Sequence, residues 1–312
     1  MPRIGQIVLA ADLGGTKIAA ARINSRGQVT HYRQSPTPPQ GGRAALDALL
    51  DRLASLPQTG ACAVAVGVPG LAYPDGSVWA PNIPGWTRMP LGGALRKRFR
   101  LPVVVESDRN ALVVGEAWRG AAQRRRDVVF VAVGTGIGAG ILAGGRLLRG
   151  RAELAGAVGW MAVRDRFLAA YGRRGCLETH AAGPAIGKAA SRRLNRPVTA
   201  RDVVRLARRG NAQARRIIEE AGRTLGLGLA NLVSVLNPEM IVIGGGVAAA
   251  GDLLLGPARQ SMRQWAQPLA ARQVRIVRSR LGTRAGLLGV AKLAFESPAV
   301  RGGAKTARPK AG

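Results

Sequence analysis

"IVLAADLGGTKIAAARINSRGQV", residues 7–29, decides the fold. An apolar run ends at Asp12, a Gly14-Gly15 turn follows, and a second apolar run starts after Lys17. Short runs of aliphatic residues bounded by glycine read as strands, so the stretch is a β-hairpin, and Ser25-Arg26-Gly27 opens the turn to the next strand. The tip carries an acid, two glycines, a hydroxyl and an amine. Glycine lets the backbone turn at positive φ, so that successive N–H groups point at one anion. Taken singly, such a tip is also an ordinary turn.

The same logic recurs further on. "DVVFVAVGTGIGAGILAGGRLLRG", residues 127–150, reads strand, glycine turn, strand, Gly-Gly turn, strand. A third glycine turn follows an apolar strand in "EMIVIGGGV", residues 239–247. Two hairpin-led halves imply a duplicated α/β fold. Between them, "RAALDALLDRLASL" (43–56), "LGGALRKRFR" (91–100) and "RNALVVGEAWRGA" (109–121) carry helical spacing, while "ACAVAVGVPG" (61–70) and "LPVVVES" (101–107) are strands. Residues 200–235 read as helix, "RQVRIVRSRLG" (272–282) as a late strand and "RAGLLGVAKLAFE" (284–296) as a closing amphipathic helix. From residue 298 the chain is small, basic and aperiodic, and is expected to be a disordered tail over 298–312.

Two familiar phosphate motifs do not fit. "GTGIGAG" superficially matches G-x-G-x-x-G, but the next residues read as a strand where a dinucleotide fold needs a helix. "DLGGTK" lacks the G-x-x-x-x-G-K-[ST] spacing of a P-loop. What remains is two hairpin-tip loops and a later Gly-Gly-Gly loop.

That arrangement resembles the actin-like (ribonuclease H-like) superfamily of ATPases, a two-lobed α/β fold with a cleft between lobes. Within it, "DLGGTK", "VGVPG", "APNIPGW", "ESDRNA", "GTGIGAGI", "RRGCLET" and "LNPEMIVIGGGV" follow the order seen in the ROK family (repressors, open reading frames, kinases). The resemblance covers roughly residues 7–295 and implies a glucokinase-like enzyme that phosphorylates a hexose or amino-sugar hydroxyl with ATP and Mg²⁺. It implies an N-terminal lobe over 1–117, completed by the helix near 284–297, and a C-terminal lobe over 118–283. Asp12 would hold Mg²⁺, through water. Gly14, Gly15, Thr16 and Lys17 would cradle phosphate from one lobe, and Gly134, Thr135, Gly136 and Gly138 from the other. Gly245 and Gly246 would flank the adenosine. Asp108 matches the family's catalytic base, although an acid at a helix start is also a common cap. Asn82, Asp108 and Glu178 match sugar-contacting positions.

The departures matter as much. Where the family reads E-N-D, this chain has Glu106-Ser107-Asp108, so Ser107 replaces a sugar-binding Asn. Where kinases of the family read A-G-E-x-G-H, this chain has Ala157 and Trp160 in place of the Glu and His. Trp160 is expected to fill the volume of that His or to stack on a sugar face. The zinc pattern C-x-C-G-x-x-G-C is reduced to Cys176, with Tyr171 at a ligand position, so zinc is not expected; His180 reads as a surface or packing residue. Each lost charged hydrogen bond costs about 1.5–3 kcal/mol. The alternative function is therefore a catalytically weak sugar-binding or regulatory member of the family.

Other classes are weaker. The net charge of +30 invites nucleic acid, but only six of the 47 basic residues are Lys, the Arg residues are scattered, and aromatics are 4%. Specific nucleic-acid binding is not expected, whereas attraction of anionic ligands is. Polyphosphate is thus an alternative donor, with the adenosine-loop match favouring ATP. The family's repressors carry a winged helix-turn-helix ahead of the first phosphate loop; here that loop begins at residue 12, and a repressor is not expected. Two cysteines, no signal-peptide layout and no long apolar run imply a cytoplasmic protein without a membrane partner. A homodimer follows from the resemblance only.

Overall fold

β1 (Ile7–Leu13) and β2 (Lys17–Asn24) form the hairpin, with Asp12 opposite Ala19 and Leu13 opposite Ile18, and β2 pairs onward with β3 (Val29–Pro36). The turn into β3 is fixed by Asn24, whose side-chain oxygen accepts from the N–H groups of Arg26 and Gln28, both at 3.0 Å. The computed structural model describes residues 5–302, which divide into two compact units. After β3 come α1 (Gly42–Ala54), β4 (Ala61–Val68), the short pair β5 (Leu71–Ala72) and β6 (Val78–Trp79), α2 (Leu91–Phe99), β7 (Val103–Ser107) and α3 (Asp108–Arg119). β4 adds parallel to β1 and β7 parallel to β4, giving the order β3-β2-β1-β4-β7. β1 and β4 are nearly continuous apolar runs because helices cover both faces of the sheet.

The second unit repeats this connectivity. β8 (Val128–Val133), β9 (Ile137–Ala143) and β10 (Arg146–Leu147) form an antiparallel meander. Then come α4 (Tyr171–Arg174), α5 (Cys176–Ala181), α6 (Gly183–Arg193), α7 (Ala200–Arg208) and α8 (Ala212–Leu236). β11 (Met240–Gly244), α9 (Asp252–Trp265), α10 (Pro268–Gln273) and β12 (Arg275–Arg278) complete the order β10-β9-β8-β11-β12, with β11 and β12 parallel to β8. Its core joins Val129, Val131 and Ile243 of the sheet to Leu225 and Leu229 of α8 and Leu254 of α9. The helix expected over 200–235 is two. Gly210 turns at φ 89°, and Asn211 caps α8 by accepting from the Ala214 N–H at 2.9 Å.

The chain then returns to the first unit through α11 (Ala285–Glu296) and α12 (Pro298–Gly302). α11, expected as a closing amphipathic helix, forms at that place and is buried over most of its circumference. Leu287, Leu288, Val290, Ala291, Ala294 and Phe295 are all buried, because α11 packs against β1, β4 and α3. Backbone contact with α3 is close enough that a Cβ on Gly115 would land on the Ala285 carbonyl, and one on Gly289 on the Ala111 carbonyl. The disordered tail expected from 298 is corrected for its first residues. Pro298 starts a short helix, the Ser297 hydroxyl accepts from the Val300 N–H at 3.4 Å, and Val300 is buried. The remainder of that expected tail, 303–312, lies outside the described residues. The first unit comprises residues 5–123, Gly150–Leu154 and 283–302, so α3 and the turn after it belong to it. Among the described residues no helix is long and apolar enough to cross a membrane.

Candidate functional site

In the first unit, the loop after Asp12 is closed by the Gly14 N–H donating to the Lys17 carbonyl at 2.8 Å. Thr37, which the sequence did not single out, braces it. Its hydroxyl donates to the Gly14 carbonyl at 2.7 Å and its N–H to the Thr16 carbonyl at 3.1 Å. Gly15 and Thr16 stay exposed. Asn82 lies against this loop, since a Cβ on Gly15 would come within 3.2 Å of the Asn82 carbonyl. The Asn82 loop is anchored by buried Ile83 and by Trp86, whose indole N–H donates to the Gly42 carbonyl at 3.0 Å.

Two carboxylates share this unit. Burial pushes Asp12 up to about 7, the Asp108 charge adds to that, and Lys17 opposes it. Its carboxylate is walled by glycines, because a Cβ on Gly286 of α11 would sit 3.1 Å from it and one on Gly67 of β4 3.4 Å from it. Asp108 is the first residue of α3; burial pushes it up to about 6, against the pull of Arg109 and its N–H, which donates to Oδ1 at 2.7 Å. Buried Glu106 fixes the strand-to-helix corner, accepting from the Ser107 N–H and the Asn110 amide, both at 2.9 Å. Ser107, expected at the sugar, is 2% exposed, and its hydroxyl accepts from the Asn110 N–H at 3.4 Å. Its observed part is therefore a helix cap.

In the second unit, the Gly134 N–H donates to the Gly136 carbonyl at 2.9 Å, and the Gly183 N–H, opening α6, donates to the Gly134 carbonyl at 2.8 Å. Glu178 on α5 is tied to this loop. Its Oε2 accepts from the Ile137 N–H at 2.8 Å, and a Cβ on Gly136 would sit 2.7 Å from the same oxygen. Burial raises the Glu178 pKa; the Ile137 N–H and the Arg174 charge hold the rise down. A cavity of about 490 Å³ opens here, lined by Thr135, Arg173, Arg174, Glu178, Thr179 and Lys188 among others. Three cations around one carboxylate suit an anionic ligand. The third loop is adjacent: a Cβ on Gly245 would land on the Val133 carbonyl at the end of β8, and one on Gly183 would meet Val247 at 3.4 Å.

The expected reason for the loop glycines is corrected. Among the described loop positions 14, 15, 134, 136, 138, 244, 245 and 246, only Gly245 has positive φ, at 89°. Proximity accounts for Gly15 against Asn82, Gly136 against Glu178 and Gly244 against the Phe130 ring, whereas a Cβ at Gly134 or Gly246 would meet nothing within 4 Å. Trp160 is 56% exposed, so it does not fill the space of a missing His. His180, read as a surface or packing residue, is half-buried and packs on Tyr171, whose hydroxyl it also meets at 2.6 Å through Nε2. Cys176 is buried and its sulfur accepts from the Val163 N–H at 3.4 Å. Among the described residues no group of three or more His, Cys, Asp and Glu side chains is placed to hold a metal ion.

A sequence model described as the ROK family matches residues 8–297. The chain belongs to the ROK family. Among ROK relatives, a glucokinase of Halalkalibacterium halodurans is 34% identical over 306 residues, covering 90% of this chain and 92% of the relative. An N-acetylmannosamine kinase of Shigella flexneri is 35% identical, covering 92% of this chain and 98% of its own. The crystal structure of a ROK glucokinase from Streptomyces griseus in complex with glucose and AMPPNP superposes with a TM-score of 0.81 at 33% identity, over 93% of this chain and all (100%) of that one. The fold is accordingly the two-lobed actin-like ATPase fold of ROK sugar kinases.

Proposed function

We propose that this ROK protein is an ATP-dependent sugar kinase with Asp108 as its general base. The enzyme class rests on relatives named glucokinase and N-acetylmannosamine kinase, and on the relative crystallised with glucose and AMPPNP. The residue roles rest on one observation: two half-buried carboxylates, Asp12 and Asp108, stand in one unit, with the Asp108 charge felt at Asp12 beside the first glycine loop. Their unlike settings give them unlike tasks. Asp108, pushed up to about 6, is ionised at neutral pH yet basic enough to accept a proton. It takes the proton of a sugar hydroxyl as the oxygen–phosphorus bond forms; the bond to the terminal phosphate of ATP breaks and ADP leaves with that electron pair. Asp12 would hold Mg²⁺, through water by the family pattern: the glycines beside it admit the carboxylate, and a cation would offset the burial that raises its pKa. Bound there, the ion would neutralise charge on the transferring phosphate.

The glycine loops around Gly14–Lys17 and Gly134–Gly138 supply phosphate donors, and Gly245 and Gly246 the adenosine contact, by the family pattern. Asn82 and Glu178 are the sugar contacts, with exposed Trp160 free to stack on a sugar face. A coupled ADP-release screen against hexoses and N-acetylated amino sugars tests this. Turnover in the wild type that collapses in Asp108→Asn supports it. No sugar-stimulated turnover at millimolar substrate sinks it and favours the sugar-binding alternative.

A further inference from the structure

The stretch Tyr171–His180 has lost the family's zinc pattern and yet carries Glu178, which must be held within a fraction of an ångström to work. What holds it is visible. α4 is a single turn and α5 is six residues long, so neither is stable alone. They meet at Gly175, at φ 78°, where a Cβ would land on the Gly159 carbonyl. The elbow is closed from both sides. The Thr179 hydroxyl donates to the Gly175 carbonyl at 2.7 Å, and the Leu177 N–H to the Met161 carbonyl at 3.2 Å. Across the elbow, buried Tyr171 meets His180 at 2.6 Å, ring edge to face with centroids 5.6 Å apart, and Phe167 packs edge-on to Tyr171 at 5.8 Å.

The positions on α5 matter. Glu178 and His180 are two residues apart, hence about 200° apart around a helix, so a link at His180 fixes the rotation that aims Glu178. A helix-axis rotation of ~20° would carry a side-chain tip ~2 Å, enough to break the Glu178 bond to the Ile137 N–H.

We propose that the Tyr171–His180 hydrogen bond is a metal-free clamp that positions Glu178 against the Gly136–Ile137 loop for sugar binding. Tyr171 and His180 are positioning residues; the proposal rests on Glu178 being a sugar contact. Cys176 sits beside the clamp: its sulfur accepts from the Val163 N–H at 3.4 Å and also hydrogen-bonds with the Tyr171 side chain.

The test uses steady-state kinetics with glucose and Mg-ATP, and hydrogen exchange of the free protein, on Tyr171→Phe, His180→Gln, Glu178→Gln and the double Tyr171→Phe/Glu178→Gln. Tyr171→Phe keeps the ring and removes the hydroxyl. The expected result is a sugar KM raised about tenfold with ATP KM and kcat within about twofold. Exchange over 134–138 should quicken while β11 is unchanged. In the Glu178→Gln background the tyrosine change should add less than about twofold, because it acts through a group already removed. His180→Gln, which offers an acceptor of similar reach, should retain most of the wild-type sugar KM. If Glu178→Gln raises the sugar KM but Tyr171→Phe neither raises it nor quickens exchange, the clamp is refuted. If Glu178→Gln has no effect, the Glu178 assignment fails and the proposal with it. Additive losses in the double variant, or equal rises in both KM values, assign the tyrosine a merely structural part and overturn it.

Discussion

Asp12→Asn should make the free protein more stable and inactive. A carboxylate moved from 3.8 to about 7 by burial resists ionisation in the folded state. The unfolded chain ionises it near the ordinary value, so between those two pKa values the folded state binds the extra proton and stability falls as pH rises. The penalty is absent well below pH 4 and full above pH 7. About three units at ~1.4 kcal/mol each bound it at ~4 kcal/mol. Asp12 keeps some solvent contact and Asn must itself be buried there, which cuts the expected gain to about 1–3 kcal/mol. Urea unfolding followed by circular dichroism, without nucleotide or divalent cation, reads it. At pH 8 the variant should unfold at higher urea than wild type; at pH 5 the gain should shrink to a third or less, since the ionisation penalty falls to about a third while the cost of burying Asn is the same at both values. A variant less stable at pH 8, or one whose gain is the same at both values, would refute the burial argument for Asp12.

Asp108→Asn should lower kcat by about 10²–10⁴. In the wild type at saturating Mg-ATP the same group sets the acid limb: kcat/KM for sugar should fall about tenfold per unit below pH ~6, whereas a carboxyl at its ordinary value would leave it flat to pH 5. Gly136→Ala should drive its methyl into Glu178 and raise the sugar KM by about ten- to a hundredfold, with both units still folded by circular dichroism. Ser107→Ala should cost about 0.5–1 kcal/mol in urea unfolding and leave the sugar KM within about twofold, as befits a cap; a large KM rise would return Ser107 to the sugar.

The hairpin and the three loops were legible because strand ends, glycines and a charged tip coincide within a few residues. Asp108 at a helix start was equally legible, since Ser107 and Asp108 both favour that position. The walls around Asp12 were not. Gly67 lies in a strand and Gly286 in a helix far along the chain, and only the fold brings them to one carboxylate. A signal existed: glycines at 286 and 289 weaken a helix, and a helix that retains them often does so for close backbone approach. The break at Gly210-Asn211 is masked in the sequence because apolar periodicity continues on both sides of it. Of the two readings of Trp160, its exposure removes the filling one, because volume in a sequence pattern says nothing of exposure. The Tyr171–His180 bond was hidden by expectation, as counting missing ligands does not reveal what their replacements do with one another.

β1 and α11 belong to one unit yet stand at opposite ends of the chain. On a ribosome adding ~5–20 residues per second, Asp12 emerges tens of seconds before Gly286 is made. The nascent first sheet can pair its strands in that interval, but its acidic strand end still faces water. Burial of that carboxylate is therefore deferred to the docking of α11. Protonation of Asp12 then bears on the last step of assembly, and a release from the ribosome that is premature by one helix leaves the phosphate loop without its wall.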